Sequence, residues 1–138
     1  MTDVDLVARR LAFLETYVAD LRRLARPELL RTDVREERFV AHTLQLAIQA
    51  ALDVASHIVS DDHLGEPESN RDLFDALAKG GWVSTDFAET LGQMADFRNV
   101  LVHGYTALNL DVLEKVSTER LEDLLRFSRE VRAKLAER

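Results

Sequence analysis

Arg98 and His103 are the two residues whose types and spacing could do chemistry, an Arg-x4-His pair late in a 138-residue chain. An imidazole exchanges protons near neutral pH, and a guanidinium holds anionic charge. On a helical wheel of about 100° per residue with Phe87 at zero, Leu91, Met94, Leu101 and Val102 fall within about 60°, and Arg98 falls near 20°. A guanidinium inside an apolar stripe is costly to bury without a partner. Two explanations stand: a buried ion pair, for instance with Asp53 on the preceding long helix, or a functional arginine. His103 lies about 140° further round the wheel and about 7.5 Å along the axis, so one straight helix does not make the two side chains converge. Either the helix frays at His103 before Gly104, or the arginine meets a histidine of a second copy across a two-fold interface. Taken alone, His103 also reads as a helix-end residue bonding terminal carbonyls, and Tyr105 as packing at the end of a bundle.

The elements that must position these residues are helical. Leu6, Leu11, Phe13, Leu14, Tyr17, Leu21 and Leu24 recur mostly at three- and four-residue steps, the stripe of an amphipathic helix that Pro27 ends. Asp33 followed by Glu36 has the spacing of a capping box, and Val40, Leu44, Ala47, Ile48, Ala51, Ala55 and Ile58 carry a long second helix from it. The segment 60–67 has the composition of a loop. Ser69 can cap a short helix through Leu73, Phe74 and Leu77 that Gly80 and Gly81 stop, and Ser84 or Thr85 can cap the helix bearing Arg98, which Gly104 is placed to end. Asp111 opens a last helical stretch to the C-terminus, with a break expected near Ser117. No alternating strand pattern competes. The expectation is an all-α antiparallel bundle of four main helices plus a short one, in a single domain spanning residues 1–138.

Composition narrows the function classes. With 46% hydrophobic and 31% charged residues, two prolines and five glycines, the chain is globular rather than disordered or fibrous. The absence of cysteine removes disulfides, thiolate catalysis and Cys-ligated zinc, and suits a cytoplasmic protein. The start is acidic and no apolar run approaches the roughly 20 residues of a membrane span, so neither export nor membrane insertion is expected. A net charge of −7 means that any nucleic-acid contact must be local. The best local patch is Arg22, Arg23, Arg26, Arg31, Arg35 and Arg38, set against Glu28, Asp33, Glu36 and Glu37. It reads as a solvated inter-helix turn or as an RNA-binding patch.

The segment Phe97-Arg98-Asn99-Val100-Leu101-Val102-His103-Gly104-Tyr105 resembles the signature of the HepT toxins in the HEPN superfamily of helical ribonuclease domains. The likeness covers nearly the whole chain: the helix order agrees, and the second-helix segment 47–55 is similar in style. The resemblance implies a homodimer in which two Arg-x4-His motifs meet in a cleft and cut RNA, transfer RNA being a candidate, without a metal ion or cofactor. His103 would be the general acid or base, Arg98 the electrostatic stabiliser and Asn99 a positioning residue. These residue types suit such a cut, since an imidazole can take the proton of a ribose 2′-OH and a guanidinium can hold charge developing on phosphate. The resemblance also implies an antitoxin partner, a small MntA-like nucleotidyltransferase that adds AMP to the tyrosine of the motif, here Tyr105. After Tyr105 the sequence departs from the family style, with no acidic residue before Asp111.

Other chemistry is less well supported. Asp53 and His57 share a helical face and, with His42 or the loop residues Asp61, Asp62 and His63, suggest either a metal site or core polar pairing; without a second close ligand pair, no metal is expected. The chain has no P-loop, dinucleotide fingerprint, nucleophile elbow or His-Glu-x-x-His. Two function classes remain: a ribonuclease toxin held off by a partner, and a non-catalytic helical dimer that binds a nucleotide or a protein through Arg98 and His103.

Overall fold

The computed structural model describes residues 2–103, with His103 by its backbone only, and 109–138. Among the described residues six helices follow in order: α1 (Val4–Leu24), α2 (Val34–Asp61), α3 (Asn70–Lys79), α4 (Thr85–His103), α5 (Leu110–Glu119) and α6 (Leu121–Ala136), with a 3-10 turn at Pro27–Leu29. No strand occurs among the described residues. The expected bundle is therefore present, with its last member broken in two.

The long α2 is the central element. It packs against α1 on one side and against α3, α4 and α6 on others, and its apolar residues, Leu44, Ala47, Ile48, Ala51, Ala55 and Ile58 among them, are buried. Opposite them α1 buries Val7, Leu11, Leu14, Val18 and Leu21 at strict three- and four-residue steps. Phe74 of α3 meets Phe127 of α6 edge to face within the core, with ring centroids 5.9 Å apart.

Local sequence sets the helix ends, and several differ from expectation. Asp33 caps α2 by accepting from the Arg35 N–H, but Glu36 does not reach back to complete a capping box; its Oε2 accepts from the Arg26 N–H instead, tying the end of the α1–α2 turn to α2. The Asp33 N–H is already satisfied by the Leu29 carbonyl. Ser69 and Ser84 cap α3 and α4 as expected, through Asp72 N–H and Phe87 N–H. The cap of α5 is Asn109, whose Oδ1 accepts from the N–H groups of Asp111 and Val112, so Asp111 is inside the helix rather than at its entrance. The break between α5 and α6 falls at Arg120, not Ser117, whose hydroxyl donates to the Glu114 carbonyl and stays within α5. The expected stop at Gly104 lies outside the described residues.

Two anchors fix the direction of the helices. Asp62, at the end of α2, accepts from Trp82 Nε1 (3.2 Å) just before α4, and from both terminal nitrogens of Arg138 (3.1 and 2.7 Å) just after α6. At the other end of the bundle Arg31, just before α2, pairs with Asp111 and Glu114 of α5. Helix α4 therefore begins where α2 finishes and runs back antiparallel to it, carrying Arg98 and His103 toward the α1–α2 turn.

Candidate active site on α4

Helix α4 is held by its buried face and by a clamp from α3. Phe87, Ala88, Leu91, Met94, Ala95 and Leu101 are buried. Arg71 of α3 crosses the outer side of α4 at Gly92, with Nη1 2.9 Å from Glu89 and Nη2 3.2 Å from Asp96. These contacts stiffen the turn immediately before Arg98.

Arg98 lies where the wheel places it, among the buried residues of α4, and is itself half-buried. Its Nη1 donates to Asn99 Oδ1 at 3.4 Å, a long hydrogen bond. Its Nε is buried and has no partner among the described residues. A donor kept from water without an acceptor costs about 1–3 kcal/mol, and an arriving anionic oxygen would relieve that cost. Asn99 is exposed beside it.

Asp53 is not the partner of Arg98. Its Oδ1 accepts from Gln49 Nε2 at 2.8 Å, one helical turn away on α2, and no ion pair joins it to Arg98 among the described residues. The carboxylate lines a different feature, a groove between α1 and α2 with Leu6, Arg10, Ser56, His57 and Ser60. Among the described residues the expected ion pair is therefore not seen, and the Gln49 amide holds the carboxylate instead.

Helix α4 continues as an α-helix through His103. The fraying expected at His103 before Gly104 falls at the edge of the described residues, and an ideal helix turns by about 140° between positions 98 and 103. The side chain of His103 and all of Tyr105 lie outside the described residues. The structure accordingly brings Arg98 and Asn99 together and carries His103 on the same helix, while Asp53 is held by Gln49.

The candidate metal cluster is not assembled. His57 Nε2 lies 3.0 Å from Asp61 Oδ2, one turn on, rather than bonding Asp53. Among the described residues no group of three or more His, Asp or Glu side chains is placed to hold a metal ion. No helix among them is long and apolar enough to cross a membrane.

Two features were missed by sequence reasoning. The Arg71–Gly92 crossing leaves only one trace, a glycine inside an otherwise helical pattern, which signals a packing reason without naming the neighbour. The Asp62 anchor had none, because its partners Trp82 and Arg138 lie 20 and 76 residues away in sequence.

Comparison with known proteins matches residues 14–131 to the family described as Ribonuclease HepT-like, a span that includes the whole Arg98–Tyr105 motif. The chain is 38% identical over 84 residues to a protein of Shewanella oneidensis named mRNA nuclease HepT, covering 61% of this chain and 63% of that protein. It is 27% identical over 109 residues to the tRNA nuclease HepT of Aphanizomenon flos-aquae, covering 76% of this chain and 74% of that one. Among solved structures, a toxin–antitoxin with AMP-PNP superposes with a TM-score of 0.88 at 28% identity, covering 94% of this chain and 98% of that one. A tri-AMPylated Shewanella oneidensis HEPN toxin in complex with an MNT antitoxin superposes with a TM-score of 0.86 at 28% identity, covering 96% of this chain and 99% of that one. The fold, the motif on α4 and the match across most of the sequence agree: this chain belongs to the HepT-like ribonuclease family.

Proposed function

We propose that the chain is the ribonuclease toxin of a toxin–antitoxin pair, acting in the cytoplasm as a homodimer that cuts RNA without a metal ion. The observation that carries this reading is Arg98: a half-buried guanidinium whose buried Nε has no partner among the described residues, one residue before Asn99 and five before His103 on one helix. The turn of about 140° that an ideal helix makes between positions 98 and 103 supports a site completed by a second copy. The names of the nuclease relatives and the toxin–antitoxin neighbours support the same assignment.

In the proposed reaction His103 takes the proton from a ribose 2′-OH, and the 2′-oxygen forms a bond to the adjacent phosphorus. The bond from phosphorus to the 5′-oxygen breaks, and that oxygen leaves with a proton supplied by the protonated imidazole of a motif histidine or by water. The products are a 2′,3′-cyclic phosphate and a 5′-hydroxyl. Arg98 holds the charge that gathers on the phosphoryl oxygens, and Asn99 orients the guanidinium or the phosphate. Control would come from a MntA-type nucleotidyltransferase that adds AMP to Tyr105. Each added phosphate brings negative charge and bulk to the motif, where it competes with RNA for Arg98.

The test is cleavage of labelled RNA, transfer RNA included, by the purified chain and by Arg98→Ala and His103→Ala variants with unchanged helical circular dichroism. Loss of cutting in both supports the reading. A wild-type chain that binds RNA or nucleotide without cutting it would instead identify a non-catalytic dimer.

A further inference from the structure

One stripe of α2 differs from the rest of this acidic molecule. Arg35, Arg38, His42, Gln45 and Gln49 follow at steps of three, four, three and four residues, so they share one face over about 21 Å. The first three are exposed and the two glutamines half-buried. No acidic residue interrupts them, although the chain has 25 Asp and Glu against 18 Lys and Arg.

The two arginines are also electrostatically available. The neighbouring carboxylates are engaged on backbone amides, Asp33 on Arg35 N–H and Glu36 on Arg26 N–H. Glu37 points about 100° away from Arg38 around the helix, and Glu28 sits in the 3-10 turn. No side-chain ion pair holds Arg35 or Arg38 among the described residues, whereas Arg22, Arg31, Arg71, Arg132 and Arg138 each hold a carboxylate.

Their position gives the stripe a direction. The Arg31 pairings set the start of α2 against the start of α5, and only residues 104–109 separate α5 from His103. The basic end of α2 therefore lies at the same end of the bundle as the motif end of α4. The far half of α2 carries Asp53 and Asp61, which repel phosphate.

Building on the ribonuclease reading above, we propose that this stripe is a track for single-stranded RNA, with Arg35 and Arg38 on successive phosphates and His42 and Gln45 on sugar hydroxyls or base edges; Gln49, whose amide is held by Asp53, marks its end. Single-stranded substrate follows from the chemistry, because in-line attack by a 2′-oxygen needs a backbone freed from regular duplex geometry. A protein partner is less favoured because the stripe itself is polar and basic: Val34 and Leu46 reach the surface only at its flanks, and Phe39 packs against the core.

The test uses a fluorescent 2′-O-methyl oligonucleotide, which lacks the attacking hydroxyl and stays intact, titrated by anisotropy onto the full chain at several salt concentrations. Arg35→Gln/Arg38→Gln should weaken binding about tenfold and make the slope of log affinity against log salt shallower by about 1.4, two phosphates at roughly 0.7 each. Lys79→Gln, on α3 at the other end of the bundle, should match the wild type. If the wild type cuts RNA but the double variant keeps its affinity and slope, the track is refuted while the ribonuclease reading survives. If the wild type neither cuts nor binds RNA, both fall. If the double variant loses association with an antitoxin protein but keeps the RNA slope, the surface is a protein-docking face and the proposal is wrong.

Discussion

Arg71 and Gly92 are built for one another: the Arg71 side chain crosses α4 where Gly92 has no side chain, and a Cβ there would lie 2.8 Å from Arg71 Nη1 and 2.9 Å from Cγ. Because the Cγ is near the root of the side chain, Arg71 cannot clear the space by moving only its tip. The ion pairs to Glu89 and Asp96, seven residues apart, bracket the crossing. Asp96 is two residues before Arg98, so the clamp bears on the turn that presents the guanidinium.

This relationship predicts a sign change. In an exposed helix interior, Gly→Ala gains up to about 1 kcal/mol. Here Gly92→Ala should instead destabilise by about 1–3 kcal/mol through overpacking. In an Arg71→Ala background the same substitution should become neutral or stabilising. Urea midpoints of the four proteins of this double-mutant cycle measure the coupling, and additive effects would contradict the crossing.

The Asp62 anchor predicts a pH dependence. The hydrogen bonds from Arg138 hold the Asp62 carboxyl below the usual carboxylate range, with smaller help from Trp82 and Thr2 against the opposing effect of burial. A depressed folded-state pKa gives stability that is fully present above the unfolded value, near 3.9, and lost as pH falls through the lower folded value. Asp62→Asn should therefore lower Tm at pH 7, at a cost of about 1–3 kcal/mol. Its Tm should converge toward that of the wild type below about pH 4. Thermal melts at pH 7 and pH 3 test both statements.

Much of this architecture was legible in the sequence, for a physical reason. The buried faces of α1 and α2 repeat at helical steps, and Asp33, Ser69 and Ser84 announce helix starts through local hydrogen bonds. The motif on α4 was legible because Arg98 breaks an apolar stripe. Asn109 was overlooked as a cap because Asp111, two residues on, carries the same chemical signal. The fate of Asp53 was not legible: Gln49 on its own helix competes with a distant arginine, and only the packing of α2 against α4 decides between them.

A site completed by a second copy requires a dimer. Light scattering at micromolar concentration should give twice the chain mass of 15.7 kDa. A monomer at that concentration that cuts RNA at full rate would show that one chain suffices.

Tyr105 is predicted to be the control point. Tyr105→Phe should keep RNA cleavage yet escape silencing when co-expressed with the antitoxin and ATP. Intact mass should show AMP additions on the wild type and none on the variant. An adduct on another residue, or a silenced protein with no adduct, would assign inhibition to occlusion by the partner.

The central claim is that His103 and Arg98 cut RNA through its own 2′-hydroxyl. Mass spectrometry of the RNA ends made by the purified chain in excess EDTA tests it most directly. The account predicts a 2′,3′-cyclic phosphate on one fragment and a 5′-hydroxyl on the other, both absent with His103→Ala. A 3′-hydroxyl with a 5′-phosphate, or cleavage that stops in EDTA, would contradict it.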